Sequence, residues 1–262
     1  MSAALVVLWV SAAAIAGLMA AMWAIGVAMR SPNMVEILWG VLWGFGFAVV
    51  AWVSMLVTDG HGVRAVLLAA MATAWGLRLS VYLAFRNLGA GRSNSMRQRS
   101  GDGSRFSGLT WEFALQGAAM WVVSLPLQLG VGEAGRGWVP LWVVGAAVFV
   151  VGFGFEAVGD WQLARFKADP ASAGQVMDRG LWRYTRHPNY FGDAVAWWGI
   201  GLVAASTPIG AIGLIGPAFN HWTLLKVSGV PALEGNLKSS RPGYADYIGQ
   251  TSPFIPRRPK AL

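Results

Sequence analysis

The 262-residue chain contains no cysteine and only three histidines, His61, His187 and His221. The missing thiols exclude disulfides, cysteine-ligated zinc, iron–sulfur clusters and a cysteine nucleophile. The histidines lack any spacing typical of a metal site, so we predict that the protein binds no metal. Charged residues are also scarce, at 12% of the chain, whereas a soluble domain carries about a quarter. This composition favours lipid as the solvent.

Long apolar runs make up much of the sequence, which is 55% hydrophobic. A helix needs about 20 apolar residues to cross a bilayer, and seven stretches approach that length. We predict an all-α polytopic integral membrane bundle of about seven transmembrane helices, forming a single membrane domain over residues 1–262. The predicted spans are Ala3–Met29, Met34–Val57, Val63–Phe85, Trp111–Val131, Trp138–Val158, Tyr190–Ala205 and Ile209–Leu225. The first run lacks the features of a cleaved signal peptide, so we expect no cleavage.

Basic residues cluster in the segments on one side of these spans. The third and fifth loops and the C-terminal tail are rich in lysine and arginine, and the first loop contains Arg30, whereas the other loops contribute only Arg64 and Arg136. Because basic residues near span ends mark the cytoplasmic face, we predict the N-terminus outside and the C-terminus in the cytoplasm. We expect a multi-pass protein of a bacterial inner membrane. Topology also accounts for the net charge of +8, so membrane lipids are expected partners and nucleic acid is not.

Cytoplasmic segments around 86–110, 156–193 and 226–262 are predicted to hold the chemistry. Residues 178–193 are the most informative stretch, because polar and basic residues there lead directly into an apolar span. Pro188 suits the first turn of a helix, so a helix is predicted to begin there. The free N–H groups of that helix and the arginines before it favour an anion, such as a phosphorylated cofactor. Topological anchoring by the arginines is the alternative. The candidate cofactor-binding residues here are Arg179, Arg183, Arg186, His187, Asn189, Tyr190, Gly192 and Asp193.

Two acidic residues lie at the cytoplasmic end of the fifth predicted span. Glu156 and Asp160 share a helix face because they are four residues apart, and Arg165 and Lys167 follow them. Ionisable groups at membrane depth are costly and usually face a cavity or a partner. All four residues are therefore candidates for cofactor binding. The alternative is that the acids pair only with nearby arginines.

The third predicted span carries Arg78 and Tyr82, which share a face because they too are four residues apart. A positioned phenol can donate a hydrogen bond to a developing enolate oxygen, although a membrane tyrosine more often only packs. Glu36, near the start of the second span, is a candidate partner of Arg78, and snorkelling of the arginine is the alternative. We treat Tyr82, Glu36 and Arg78 as candidate catalytic residues.

Several motifs together resemble those of one membrane-protein family. They are Trp75-Gly-Leu-Arg-Leu79, Glu156-Ala-Val-Gly-Asp-Trp-Gln-Leu163, Gly180-Leu-Trp-Arg-Tyr-Thr-Arg-His-Pro-Asn-Tyr-Phe-Gly192, Lys226-Val-Ser-Gly-Val-Pro231 and Arg241-Pro-Gly-Tyr244. Over most of its length the chain resembles the steroid 5-alpha-reductase-like family, which belongs with the sterol reductases and the isoprenylcysteine carboxyl methyltransferases.

The resemblance implies that the cytoplasmic half of the bundle holds NADPH, below a lipid-facing cavity for a hydrophobic enone. The cofactor-contacting Asn-x-x-Gly-acid segment of the reductases resembles Asn189, Gly192 and Asp193, and an aspartate on the preceding helix resembles Asp160. The last motif adds Tyr244 as a candidate for cofactor binding. Around the substrate carbonyl the reductases use a tyrosine and a Gln-Glu pair, which Tyr82 and Glu36 match by approximate position; no Gln-Glu-Leu-Pro occurs here.

The leading expectation is therefore an NADPH-dependent oxidoreductase acting on CH–CH groups, which reduces an activated C=C bond in a lipophilic, steroid-like or other lipid substrate. The motif Arg186-His-Pro-x-Tyr-x-Gly also occurs in the methyltransferases, so an S-adenosylmethionine-dependent methyltransferase of a lipid or prenylated substrate is the alternative. Those enzymes carry adjacent glutamates in the last cytoplasmic segment, whereas this chain has only Glu234 there. A further alternative is a non-enzymatic membrane protein or transporter.

Overall fold

A computed structural model describes residues 2–29, 32–58, 62–89, 105–131, 137–227, 229–231, 233–235 and 241–260, with side chains omitted for 26–42, 87–89 and 105–112. Within these ranges the chain forms helices and no strands, which confirms the all-α prediction for this part of the protein. The α-helices are α1 (Ala3–Met29), α2 (Pro32–Thr58), α3 (Val63–Gly89), α4 (Arg105–Val123), α5 (Leu125–Val131), α6 (Val139–Ala168), α7 (Pro188–Ala204), α8 (Pro208–Ile212), α9 (Ile215–Lys226) and α10 (Tyr244–Gln250). Two 3₁₀ turns lie at Pro170–Ser172 and Gly180–Arg183.

Some of these helices have the length and composition of membrane spans. Among the described residues, Ala3–Ile25, Val63–Arg86 and Val139–Ala168 are long and apolar enough to cross a bilayer. The bent pair Phe113–Val123 and Leu125–Val131 makes a fourth if it counts as one span. Helices α1 and α3 also expose large apolar side chains, such as Trp9 (69%) and Phe85 (74%), which suits contact with lipid acyl chains. This is the pattern of an integral membrane protein, whereas seven spans and the orientation of the termini remain predictions.

The described residues divide into two compact units. The first unit comprises residues 1–142 and 200–216, and the second comprises residues 143–199 and 217–262. In the first unit α2 packs against α1 and α3, and α5 packs against α2, α3 and α8. The single membrane domain over the whole chain stays a prediction.

In the first unit, α2 and α3 cross at two glycines. Neither Gly44 nor Gly76 has room for a Cβ atom, because each would overlap the carbonyl oxygen of the other. Small residues at a crossing let two helix backbones approach closely, which is a common device in membranes. The neighbouring Trp75 packs edge-on against Phe47 of α2, with ring centroids 5.5 Å apart. The Trp75–Leu79 motif thus fixes α3 against α2.

The fourth predicted span, Trp111–Val131, is broken at Ser124, where α4 and α5 meet at an angle of 43°. Pro126 explains the break, because a proline inside a helix lacks the N–H group and its ring clashes with the preceding turn. The side chain of Gln128 offsets the loss of backbone hydrogen bonds at the break. It donates to the Trp121 carbonyl oxygen at 2.9 Å and to Ser124 Oγ at 2.6 Å. The seventh predicted span is likewise divided, into α8 and α9.

In the second unit, α6 and α7 pack backbone to backbone along a row of glycines. A Cβ atom on Gly152 would overlap the Ala196 backbone, and one on Gly192 would overlap the Glu156 backbone. One on Gly199 would lie 2.7 Å from the Gly145 carbonyl oxygen. Because the glycines on each helix recur every seven residues, they lie on one face over two helical turns. This seam sets the register between the polar ends of α6 and α7.

The C-terminal tail is bound to the loop that precedes α7. Thr185 Oγ1 donates to the Phe254 carbonyl oxygen at 2.7 Å, and the backbone N–H of Arg186 donates to the Ser252 carbonyl oxygen at 2.9 Å. On its other side the same loop is anchored to α6, where the indole N–H of Trp182 donates to the Gly159 carbonyl oxygen at 3.0 Å. The loop containing the Arg-His-Pro sequence is therefore held between α6 and the tail.

Candidate functional site

The packing of α6 against α7 brings together two of the residues singled out from the sequence. The amide Nδ2 of Asn189, in the first turn of α7, donates to Asp160 Oδ1 at 3.2 Å. Asp160 is only 4% exposed, as is Glu156 one turn earlier on α6. Gly159 favours this approach, because a Cβ atom there would lie only 3.1 Å from the backbone nitrogen of Asn189. Two carboxylates and an amide thus lie at the start of α7.

Gly192 packs against α6, and its predicted contact with a cofactor stays a prediction. Its missing side chain admits the backbone of α6 at Glu156. Asp193, which follows it, accepts a hydrogen bond from Asn220 Nδ2 at 3.4 Å. Asn220 lies on α9 and was not singled out by the sequence. The polar face of α7 therefore meets α6 at Asn189 and α9 at Asp193.

The buried guanidinium of Arg186 is engaged by the protein itself. Its Nε donates to Glu234 Oε1 at 2.7 Å, and its Nη1 donates to the carbonyl oxygens of Thr251 at 2.6 Å and Ile248 at 3.2 Å. These contacts tie α10 and the Glu234 segment to the loop before α7. The side chain was expected to bind cofactor phosphate, and that role stays a prediction. What the geometry gives Arg186 is a structural role.

His187 shares the same carboxylate but keeps one nitrogen unoccupied. Its Nε2 lies 3.1 Å from Glu234 Oε1, and a carboxylate can only accept, so Nε2 carries the proton. Nδ1 then bears a lone pair, and it is buried with no hydrogen-bond partner among the described residues. The ring stacks on Tyr190 with centroids 5.5 Å apart and planes inclined by 11°. His187 is thus a buried, oriented hydrogen-bond acceptor.

Electrostatics keep the three linked groups in defined charge states. Burial lowers the pKa of His187 and the charge of Arg186 adds to this, although Glu234 opposes both. Burial alone would raise the pKa of Glu234, but hydrogen bonds from Arg186 and His187 outweigh it, so that pKa lies below its ordinary value. At neutral pH the cluster therefore holds a neutral imidazole beside an ionised carboxylate–guanidinium pair.

Four other basic candidates have side chains that reach solvent, namely Arg165, Lys167, Arg179 and Arg183. The Arg165 guanidinium lies over the ring of Trp161, 5.7 Å from its centroid. Arg179 Nε lies 4.0 Å from Asp178 Oδ1, and both side chains are more than 60% exposed, so this pair contributes little to stability. Phosphate groups can reach cations of this kind.

Tyr244 lies inside the tail. It is 4% exposed and its ring packs 5.8 Å from that of Tyr247. Burial, together with the charge of Glu234, raises the pKa of Tyr244 to about 12, so the phenol is neutral. That Tyr244 contacts a cofactor stays a prediction. In the structure its ring packs against Tyr247, on the same helix.

The three candidate catalytic residues belong to the first unit. Arg78 and Tyr82 are partly buried on α3, and the Arg86 guanidinium lies 5.9 Å from the Tyr82 ring centroid, a cation–π distance. Glu36 falls within α2, but its side chain lies outside the described residues.

Sequence reasoning missed Glu234, Asn220 and His221 as parts of this region. A buried arginine requires a carboxylate, but the burial of Arg186 is visible only in the structure, so the sequence did not signal the need for Glu234. The tail offers both Glu234 and Asp246, and their sequence positions do not distinguish them. For Asn220 and His221 no local signal existed, because each acts through a residue more than 20 positions away.

Comparisons with known proteins place the chain in a family. No curated protein and no solved structure matches it. The profile of the DUF1295 family, described as a protein of unknown function, matches residues 22–251. This range includes all the candidate site residues named above. The chain therefore belongs to the DUF1295 family.

Proposed function

We propose that the protein is an NADPH-dependent reductase of an activated C=C bond, an enone, in a lipophilic, steroid-like or other lipid substrate. The observation that carries the proposal is the group of buried polar side chains at the start of α7: the Asp160–Asn189 pair and the unpartnered Nδ1 of His187. A buried polar atom without a partner costs about 1–3 kcal/mol. A bound ligand with an N–H or O–H group would remove that cost.

The residues present suit a phosphorylated dinucleotide. In the proposal the exposed cations Arg165, Lys167, Arg179 and Arg183 hold its phosphates, since guanidinium and ammonium groups are the usual phosphate ligands in proteins. Asp160 and Asp193 accept hydrogen bonds from hydroxyl or amide groups of the cofactor, and Asn189 donates or accepts such bonds. When bound, NADPH supplies the hydride that adds to the β-carbon of the enone. The resemblance to the steroid 5-alpha-reductase-like family supports the same assignment.

The candidate catalytic residues act on the carbonyl of the substrate. The Tyr82 phenol donates a hydrogen bond to the carbonyl oxygen, where negative charge develops as the β-carbon accepts hydride. A proton from solvent then adds to the α-carbon and completes the reduction. Arg78 and Glu36 assist by orienting the phenol. Removing one such donor typically slows an enzyme by about 10²–10³-fold. Tyr82→Phe is therefore expected to reduce turnover strongly while leaving the affinity for NADPH unchanged.

The proposal includes the topology of seven spans, with the N-terminus outside and the C-terminus in the cytoplasm of a bacterial inner membrane. The chain has no cysteine, so single cysteines can be introduced without removing any others. In intact cells, a membrane-impermeant maleimide is expected to label Ser2→Cys but not Lys260→Cys. The reverse pattern would overturn the orientation, and labelling of both would overturn the odd number of spans.

A second candidate is the S-adenosylmethionine-dependent methyltransferase. The contact of Glu234 with both Arg186 and His187 favours it, because it joins a glutamate of the last cytoplasmic segment to the motif that both families share. In that case the same polar groups would hold a sulfonium cofactor, and the exposed arginines would have no phosphate to bind.

One titration distinguishes these candidates. Protein purified in detergent is titrated separately with NADPH, NADP⁺ and S-adenosylmethionine, and the melting temperature is recorded, because a ligand of the folded state raises it by mass action. The reductase predicts a saturable shift with the dinucleotides alone. A shift with S-adenosylmethionine alone would make the protein a methyltransferase, and no shift with any of them would favour the non-enzymatic alternative.

Variants then test the location of the site. Asn189→Ala and Asp160→Ala are expected to weaken NADPH binding about tenfold each, the value of roughly one lost hydrogen bond to a polar ligand. Asp246→Ala is the control, because Asp246 is an exposed acid on α10, away from the proposed phosphate-binding residues. Unchanged affinity in both site variants would show that the cofactor binds elsewhere.

A further inference from the structure

His221, on α9, has one ring nitrogen fixed by a partner that can only donate. The indole Nε1 of Trp198 lies 3.2 Å from His221 Nδ1. Because an indole N–H never accepts a hydrogen bond, Nδ1 must present its lone pair. The second nitrogen, Nε2, therefore carries the proton. Trp198 thus sets His221 as a neutral imidazole with a donor at Nε2.

The ring is also held in orientation by aromatic neighbours. The Phe254 ring of the tail lies 5.0 Å from the His221 ring, inclined by 41°, and 5.9 Å from the Phe191 ring of α7. Phe254 is itself fixed, since its carbonyl oxygen accepts the hydrogen bond from Thr185. The His221 side chain is only partly buried, and no hydrogen-bond partner of Nε2 occurs among the described residues.

An unpaired N–H in these surroundings calls for a specific kind of partner. The imidazole is only partly buried, so a ligand can reach the ring. Its neighbours are the rings of Trp198 and Phe254, which suit an apolar body, whereas Nε2–H suits an acceptor oxygen. A lipophilic ligand with a carbonyl group satisfies both requirements.

We propose that the Nε2–H group of His221 donates a hydrogen bond to the carbonyl oxygen of a lipophilic ligand. The ligand class rests on the proposed function, whereas the donor assignment rests on Trp198. In an enone, such a bond draws electron density toward oxygen and leaves the β-carbon more electrophilic. A neutral imidazole, like a phenol, offers one directed hydrogen-bond donor. The inference makes His221 a residue that recognises the carbonyl group of the ligand.

The test measures the ligand carbonyl directly. Cholest-4-en-3-one labelled with ¹³C at the carbonyl is bound to protein in nanodiscs, and the infrared carbonyl stretch is compared with that of the probe in empty nanodiscs. The wild-type protein is expected to shift this band to lower frequency, and the shift is expected to disappear in His221→Phe. His221→Gln is the rescue variant, because the glutamine amide can accept from Trp198 and still donate to the ligand. It should retain the shift.

Affinity gives an independent measure. The wild-type protein is expected to prefer cholest-4-en-3-one over cholest-4-ene, which lacks only the oxygen, by about tenfold, the value of one net hydrogen bond. That preference should be lost in His221→Phe and kept in His221→Gln, while both variants retain the wild-type affinity for cholest-4-ene. Unchanged binding of the hydrocarbon shows that each variant is folded.

Three outcomes would overturn the proposal. The carbonyl band could be unshifted in the wild-type protein, it could shift equally in wild type and His221→Phe, or it could lose its shift in Tyr82→Phe instead, which would make Tyr82 the donor. Failure of the proposed function is seen separately, as absence of an NADPH-induced melting shift. A carbonyl band that depends on His221 in a protein that does not bind NADPH would retain this inference and reject the reductase.

Discussion

Glu234→Gln is the substitution that most severely tests the link between the tail and the Arg-His-Pro loop. One oxygen of Glu234 accepts from Arg186 Nε at 2.7 Å and lies 3.1 Å from His187 Nε2. Glutamine keeps the shape of the side chain and can still accept one hydrogen bond, but it removes the negative charge. The Arg186 guanidinium then remains buried against two backbone carbonyl oxygens without a counter-ion.

The expected cost is large because solvent screening is weak. The Arg186 and Glu234 side chains are 8% and 11% exposed. Breaking a buried ion pair by removing one partner costs about 3–5 kcal/mol. We take the lower limit of about 3 kcal/mol, since glutamine retains a hydrogen bond, and this corresponds to about 6–12 °C in melting temperature for a chain of this size. Asp246→Asn, at an exposed acid in the first turn of α10, is the matched control and should change little.

The dependence on pH adds a second test of the same contact. The folded state holds the pKa of Glu234 below its ordinary 4.5, so its contribution to stability is fully present above pH 4.5 and is lost as pH falls through the lowered value. The difference in melting temperature between wild type and Glu234→Gln should therefore shrink in acid. The measurement is a set of thermal melts in detergent across this range.

The energetic coupling between Glu234 and Arg186 shows whether the two side chains stabilise the protein through their mutual contact. In a double-mutant cycle with Arg186→Gln, the second substitution should cost less once the first is present, by at least about 1 kcal/mol. If Glu234→Gln matched Asp246→Asn in stability, or if the two substitutions were additive, the buried pair would not be holding the tail to the loop.

Three further predictions concern packing and titration. Gly192→Ala should destabilise the protein by about 1–3 kcal/mol, because a Cβ atom would overlap the Glu156 backbone, whereas Gly249→Ala, with nothing within 4 Å, should be neutral; thermal melts of both check this. Since burial lowers the pKa of His187 from 6.5, stability should fall as pH drops below 6.5, and His187→Gln should reduce that fall. Because the pKa of Tyr244 is raised to about 12, its contribution to stability should be lost as pH rises from 10 toward 12, a loss that Tyr244→Phe removes in alkaline melts.

Much of the fold followed from simple features of the sequence. Continuous apolar runs gave α1 and α3 nearly to their ends, and Pro188 marked the first residue of α7. The break at Ser124 also had a signal in Pro126, although the uninterrupted apolar composition favoured one span. Gly152 of α6 and Gly192 of α7 were visible in the sequence too. Whether a glycine admits a cofactor or another helix depends on what lies opposite it, however, and the local sequence does not specify that.

The candidate site was predictable where it is local and not where it depends on distant contacts. Asp160 and Asn189 were each found from their helix positions, and their contact depends on the α6–α7 seam. Arg186 looked like a phosphate ligand because its charge is visible in sequence, while its burial is not. The roles of Glu234 and His221 arise from partners far along the chain, so only the folded arrangement reveals which nitrogen of each histidine is left available.

The central claim is that the protein transfers hydride from NADPH to a lipid enone, and isotope transfer tests it most directly. Protein in nanodiscs is incubated with NADPH carrying deuterium at either face of C4 and with cholest-4-en-3-one or a total membrane lipid extract, and the lipids are analysed by mass spectrometry. The account predicts deuterium at the β-carbon of a reduced product from one labelled face only, and little product with Tyr82→Phe. Tight NADPH binding without deuterium in any lipid, or methylated lipid when S-adenosylmethionine is supplied instead, would contradict it.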